Sequence, residues 1–325
     1  MRSTTTPMSK TMPTSGAKTQ PIVFFGTEDF SLYSLRALVE AGFNVAAVVT
    51  KPDTRRGRGG KLTQPVVKQF AIQHNIPVWQ PNHLKNIIND IKNLTPRPTG
   101  VLVSYGKIIP QSIIDLFAPG IINVHPSLLP KYRGPSPIEA AIINRDDTTG
   151  VTIMQLSKAM DAGPIYTQIS HPLDRTETQP ELYGTLGQLG ANLLVQHLPN
   201  IINGILTPTP QNDAAATYCS LLSRDDSRLG LAQLTARQAE AKIRAHLSYP
   251  RSRLTIGPYD LIITKAHTAL VAKTPLDLPC ADGAFLSIDE VVAPSGKTTN
   301  SAAFLRDYPQ LNRSEERRVG KECRS

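Results

Sequence analysis

The most chemically loaded stretch of this chain runs Ile122-Asn123-Val124-His125, continuing Pro126-Ser127-Leu128-Leu129-Pro130-Lys131-Tyr132-Arg133-Gly134. The apolar run before it reads as a strand, and in a strand residues i and i+2 share a face. Asn123 and His125 therefore project together at the strand's carboxyl end. An asparagine amide can hydrogen-bond an oxyanion developing on a carbonyl, and a histidine can move a proton near neutral pH. The competing reading of His125 is a histidine satisfied in the core. The asparagine partner and the strand-end position weigh against it. A third group, Asp161, lies in Met160-Asp161-Ala162-Gly163-Pro164, just after the strand-like GVTIMQL. A carboxylate there can orient His125 or assist deprotonation of an amine; standing alone it is an ordinary turn residue.

Other chemistries lack their residues. The first strand-to-helix turn is Phe24-Phe25-Gly26-Thr27-Glu28-Asp29-Phe30, without the G-x-G-x-x-G of a dinucleotide site. Arg58-Gly59-Gly60-Lys61-Leu62 lacks the spacing of a Walker phosphate loop. No H-E-x-x-H occurs, and Cys219, Cys280 and Cys323 form no C-x-x-C pair, so no metal is expected.

Residues positioned in this way need a frame. Between residues 21 and 203, PIVFFG, VAAVVT, VWQ, VLVSYG, IINVH, GVTIMQL and IYTQIS read as strands. SLYSLRALVEAG, TQPVVKQFAIQHN, HLKNIINDIKNL and the long QPELYGTLGQLGANLLVQHLPNIING read as helices. Apolar strands separated by helices give an α/β domain: a mainly parallel sheet covered on both faces, with ligands bound beyond the strands' carboxyl ends. Residues 204–217 form an expected linker, because GILTPTPQND ends the helical pattern with proline and small residues. Residues 218–312 change character: a helical stretch, RLGLAQLTARQAEAKIRAHL, precedes short β-like runs broken by glycine, proline and aspartate. A small β-barrel domain fits them.

The 325 residues suffice for two such domains, and no apolar run is long enough to span a bilayer. The formal net charge is +9, but it is not evenly spread. Residues 51–68 hold Lys51, Arg55, Arg56, Arg58, Lys61 and Lys68 against Asp53 alone, a net +5. A localised basic loop suggests a polyanionic partner; the plainer reading is a solvated flexible loop. Residues 1–20 are rich in Ser, Thr and Pro and are expected to form a disordered extension without a signal-peptide core, which leaves a cytoplasmic location as the expectation. Met8 or Met12 is as good a start as Met1. Residues 313–325, RSEERRVGKECRS, read as a non-native tail.

Taken together, Asn123-x-His125, Ser127-Leu128-Leu129-Pro130, Arg133-Gly134 and Asp161-Ala162-Gly163-Pro164 resemble the 10-formyltetrahydrofolate-dependent formyltransferases. The resemblance extends from residue 22 to about residue 310. It implies a Rossmann-like catalytic domain followed by an OB-like domain. It also implies Asn123, His125 and Asp161 as the catalytic trio, Ser127, Leu128, Leu129 and Pro130 as the folate-binding stretch, and 10-formyltetrahydrofolate as co-substrate. Lys51-Pro52-Asp53 followed by Gly57-Arg58-Gly59 and Lys61-Leu62 is similar to the basic insertion of the members that formylate methionyl-tRNA. There the insertion meets the acceptor end of initiator tRNA, which assigns Arg55, Arg56, Arg58 and Lys61 to tRNA binding. Pro126 departs from the Gly or Ala that many of those members carry and removes one backbone N–H. The expected protein is a monomeric enzyme with no membrane contact, its partners initiator methionyl-tRNA and the folate. Three other readings stay open: a nucleotide-sugar formyltransferase, which should lack the basic insertion; a glycinamide ribonucleotide formyltransferase, which should lack the whole second domain; and an inactive RNA-binding protein on the same fold.

Overall fold

The computed structural model describes residues 15–56 and 60–311, which divide into two compact units. The first takes described residues within Met1–Pro130, Val151–Ile169 and Leu186–Ala215. The second takes those within Lys131–Gly150, Ser170–Thr185 and Ala216–Ser325.

A seven-stranded sheet dominates the fold. Its strands are β1 (Ile22–Gly26), β2 (Val45–Val49), β5 (Val78–Trp79), β6 (Thr99–Val103), β7 (Ile121–His125), β8 (Thr148–Gln155) and β9 (Ile165–Pro172), in the order β5-β2-β1-β6-β7-β8-β9. The pairs from β5 to β7 are parallel, and β8 runs antiparallel to β7. Strands β1 and β7 are buried along their whole length, which is why their sequences lack polar alternation. Helices α2 (Asp29–Glu40) and α3 (Val66–Gln73) supply the crossovers that parallel strands require. On one face of the sheet, Val23, Phe25, Val49 and Ile121 form a core with Ile91 of α4 (Ile88–Lys92) and with Ile113 and Ile114 of α5 (Gln111–Ile114). On the other face Gly190 of α7 (Gln179–Ile202) lies so close that a Cβ would come within 2.8 Å of Val124 and 3.2 Å of Val151.

The turns at the carboxyl edge of the parallel strands are knitted by Thr27. Its hydroxyl donates to the Tyr105 carbonyl and accepts from the Lys51 N–H, and its own N–H reaches the Ser104 carbonyl. This threonine stands where a dinucleotide fold would carry glycines.

The second unit contains α6 (Pro137–Ile143) and a five-stranded antiparallel sheet. That sheet is built from β10 (Arg253–Ile256), β11 (Tyr259–Ala269), β12 (Asp277–Pro279), β13 (Phe285–Val292) and β14 (Thr298–Asn300). This is the small OB-like barrel. Its core joins Leu254, Leu261, Ile263, Leu286, Ile288 and Val291 to Ile243 of α8 (Ala236–Ala245) and Phe304 of α9 (Ser301–Asp307).

Local differences from the sequence reading have local causes. The helical pattern over 228–247 becomes a helix only from Ala236, because Thr235 and Gln238 form a reciprocal capping box. The expected helix over 83–94 is a 3₁₀ turn, Leu84–Ile87, leading into α4; Leu84, Ile87 and Ile91 still share the buried side. Residues 15–19, read as part of a disordered extension, form α1 (Ser15–Thr19), tied down by a 2.7 Å bond from Lys18 Nζ to the Ala41 carbonyl. The basic stretch read as a loop contains a hairpin of β3 (Thr54–Arg56) and β4 (Lys61–Thr63). Residues 1–14 of the amino-terminal extension, and the tail 313–325, lie outside the described residues.

Candidate active site

Strand β7 places Asn123 and His125 on one face, in continuation of the core residue Ile121. Register with β8 sets Asn123 opposite Met154 and His125 opposite Thr152. Both polar side chains are buried, at 4% and 5% exposure. Apolar residues around a histidine and an amide strengthen the electrostatics of both. Among the described residues none hydrogen-bonds the Asn123 side chain, which leaves its amide available to a ligand carbonyl.

Beyond His125 the chain turns sharply, with the Ser127 N–H donating to the His125 carbonyl at 2.9 Å. The following stretch is held by a side chain that sequence reasoning missed. Thr152, fully buried on β8, donates to the Ser127 carbonyl at 2.6 Å and accepts from the Leu129 N–H at 3.1 Å. Gln168 of β9 completes the brace, its amide reaching the Leu129 carbonyl at 2.9 Å and the Thr152 hydroxyl at 2.8 Å. Ser127 and Leu129 are thereby buried, while Leu128 and Pro130 stay half-buried. The available signal was a lone hydroxyl inside the apolar run of GVTIMQL.

Asp161 comes from the turn between β8 and β9. Its Oδ2 lies 3.8 Å from Nδ1 of His125. The turn is tight: the Gln155 N–H donates to the Pro164 carbonyl at 2.9 Å, and a Cβ on Gly163 would lie 1.9 Å from the Gln155 carbonyl oxygen. Asp161 itself has φ +48°, a left-handed conformation that aspartate tolerates better than most residues. It is thus both a turn residue and a neighbour of His125.

Three of the expected tRNA-binding residues, Arg55, Arg56 and Lys61, lie on the hairpin that follows β2. Arg55 is exposed on β3, with Nη1 donating to the Gly60 carbonyl at 3.1 Å. Arg56 closes β3 and Lys61 opens β4, while Arg58 lies outside the described residues. The hairpin's base is braced by a compact network. Lys68 Nζ donates to both Asp53 oxygens at 2.9 Å and to Gln80 Oε1 at 2.8 Å, and Gln80 Nε2 donates to Asp53 Oδ1 and to the Lys51 carbonyl, each at 2.8 Å. The Gln80 amide and the Lys68 ammonium hold the Asp53 carboxyl below the usual carboxylate range. Asn123, His125 and Asp161 therefore converge, Ser127 to Pro130 lead directly away from them, and Arg55, Arg56 and Lys61 sit on a separate, anchored hairpin. Among the described residues no group of three His, Cys, Asp or Glu side chains could hold a metal ion, and no helix is long and apolar enough to cross a membrane.

The formyl transferase family matches residues 20–198. A methionyl-tRNA formyltransferase of Pelobacter propionicus is 35% identical over 300 residues, covering 89% of this chain and 93% of the relative. The chain belongs to the methionyl-tRNA formyltransferase family. A second member, from Halorhodospira halophila, is 42% identical over 237 residues, covering 73% of this chain and 76% of its own length. Among solved structures, the N-formyltransferase of Helicobacter canadensis in complex with folinic acid and dTDP-3-aminofucose is 19% identical, with a TM-score of 0.64. It covers 83% of this chain and 99% of that one, and at this identity the likeness establishes the shared fold. The family's co-substrate is formyl-tetrahydrofolate.

Proposed function

We propose that this chain transfers the formyl group of 10-formyltetrahydrofolate to the α-amine of methionine carried by initiator tRNA, giving N-formylmethionyl-tRNA for translation initiation. The observation that carries this reading is the convergence of Asn123 and His125 on one buried strand end with Asp161 at 3.8 Å from the imidazole. When bound, the folate supplies the formyl carbon. The Asn123 side-chain N–H donates to the formyl oxygen as its negative charge grows, and the imidazole of His125 supports the same oxygen. As the amine nitrogen bonds to the formyl carbon and the bond to N10 breaks, one proton must leave the amine and one must reach the departing nitrogen. His125 delivers the second. Asp161 orients the imidazole; a carboxylate is a weak acceptor for an amine proton, so water takes the first.

Ser127, Leu128, Leu129 and Pro130 hold the folate in a shape fixed by Thr152 and Gln168. Arg55, Arg56, Arg58 and Lys61 meet the tRNA. Within this reading residues 21–203 carry the chemistry, residues 218–312 bind tRNA, and the enzyme works as a cytoplasmic monomer.

Transfer of labelled formyl from 10-formyltetrahydrofolate is the test, with initiator methionyl-tRNA, elongator methionyl-tRNA and a dTDP-amino sugar as acceptors. Label on initiator methionyl-tRNA is expected. Label on the amino sugar in its place makes the chain a sugar formyltransferase. Tight tRNA binding with no transfer makes it an inactive RNA-binding protein.

A further inference from the structure

Of the segment expected to be a linker, residues 204–215 group with the first unit and Ala216 and Thr217 with the second. Thr209 pairs with Ile165 in both directions, each backbone bond 2.8 Å long. Two residues later, Nε2 of Gln211 donates to the Asp161 carbonyl at 2.8 Å and to the Gly163 carbonyl at 2.7 Å. A side-chain amide nitrogen has two N–H groups. Here each takes one of the two carbonyls that flank Ala162. The turn is therefore gripped from two sides, by Gln211 at its tip and by the Gln155 backbone at its base.

This grip has a specific consequence for Asp161. The residue holds a left-handed backbone, uncommon for any residue but glycine. Its Oδ2 lies 3.8 Å from Nδ1 of His125, just beyond hydrogen-bond reach, so the backbone of the turn sets how near the two groups come. We infer that Gln211 is a positioning residue of the formyl transfer, acting through the backbone of Asp161 to set its carboxylate against His125. The inference rests on the role proposed above for Asp161.

The test uses the full-length chain and steady-state kinetics with both substrates. Gln211→Met keeps the length of the side chain and removes its N–H donors. Its kcat is expected to fall about tenfold, with both KM values within about twofold of wild type, as for a misplaced catalytic group rather than a lost binding contact. Gln211→Lys retains a donor able to reach either carbonyl and is expected to stay within about threefold of wild type. In an Asp161→Asn background Gln211→Met should cost nothing further, because the group it positions is already disabled. Unchanged turnover in Gln211→Met, an equal tenfold loss in Gln211→Lys, or an undiminished loss in the Asp161→Asn background would each overturn the inference. If Asp161→Asn alone turns over normally, the assignment of Asp161 fails first and the role of Gln211 falls with it. An effect of Asp161→Asn with none from Gln211→Met removes Gln211 alone.

Discussion

Nδ1 of His125 and Oδ2 of Asp161 face each other across 3.8 Å, with the two side chains only 6% and 17% exposed. That separation lies just beyond the roughly 3.2 Å reach of an N–H···O bond, so the two groups are close neighbours without a direct hydrogen bond between these atoms.

From this arrangement, His125→Ala and Asn123→Ala should each lower kcat by about 10²–10³, the typical loss for one oxyanion donor. Their KM for methionyl-tRNA should stay within about threefold, since neither residue is assigned to tRNA contact. Single-turnover formylation separates the two quantities, and turnover near wild type in either variant would remove that residue from the chemistry.

Gly163→Ala offers a probe of the Asp161 turn. The added methyl would meet the Gln155 carbonyl oxygen, a backbone atom that cannot swing aside. Overpacking of this kind costs about 1–3 kcal/mol, and here it should also displace Asp161 and depress kcat. Chemical denaturation and formyl-transfer rates on the same preparation check both parts. A wild-type rate with unchanged stability would mean the turn is more compliant than its contacts indicate.

The basic hairpin should act on tRNA and not on the folate. Lys68→Met breaks the brace around Asp53 and frees the hairpin's base, so KM for methionyl-tRNA should rise about fivefold while KM for the folate holds. Arg55→Ala should flatten the salt dependence of tRNA affinity by about 0.7–0.9 log units per decade, the loss of one phosphate contact. The depressed Asp53 carboxyl keeps the brace intact above the ordinary carboxylate range, and it lets go only as the pH falls through the lowered value. Filter binding across a salt series is decisive: an unaltered slope in Arg55→Ala places that residue off the RNA.

His246 sets the acid limit of the second unit. It is fully buried, and neither ring nitrogen has a hydrogen-bond partner among the described residues. Burial, reinforced by Lys242 and partly opposed by Asp226, pushes its pKa down to about 4. In the unfolded chain the ring titrates near 6.5, so the unfolded state takes up a proton that the folded state refuses. Stability is therefore complete above about pH 6.5 and declines by up to roughly 3 kcal/mol as the pH approaches 4. His246→Leu should remove this slope and add about 1 kcal/mol at neutral pH, because an unsatisfied polar group gives way to an apolar one. Urea melts at pH 5 and pH 7 measure it, and a variant with the same pH slope as wild type would place the acid sensitivity elsewhere.

How legible the site was in the sequence depended on whether its parts were local. Asn123 and His125 could be paired because the period of a strand fixes their common face within three residues. Asp161 could be nominated as a carboxylate after a strand, but its approach to His125 depends on a turn closed by backbone bonds and on a glycine that admits no Cβ. Thr152 and Gln168 were invisible as site residues. They act on Ser127 and Leu129 across strands more than twenty residues away in the chain, where no periodic pattern links cause and effect. The hairpin was read as a loop because its residues, basic and glycine-rich, carry no apolar alternation; its pairing is backbone-driven and its anchor, Gln80, lies beyond the next helix. The start of α8 was misplaced for the opposite reason: apolar spacing ran on upstream of Thr235, and the cap, not the spacing, decided where the helix begins.

The pairing of Thr209 with Ile165 also guards a rim. Ile165 opens β9, the last strand of the seven-stranded sheet, and its backbone N–H and C=O would otherwise be presented to any passing chain. Thr209 covers that opening with backbone of its own. A fragment trimmed at residue 203, where the long helix ends and a catalytic domain would naturally be cut, bares these groups and invites strand-to-strand association between copies. Such a fragment should remain monomeric in dilute solution only if the boundary is moved past the residues that cover the edge.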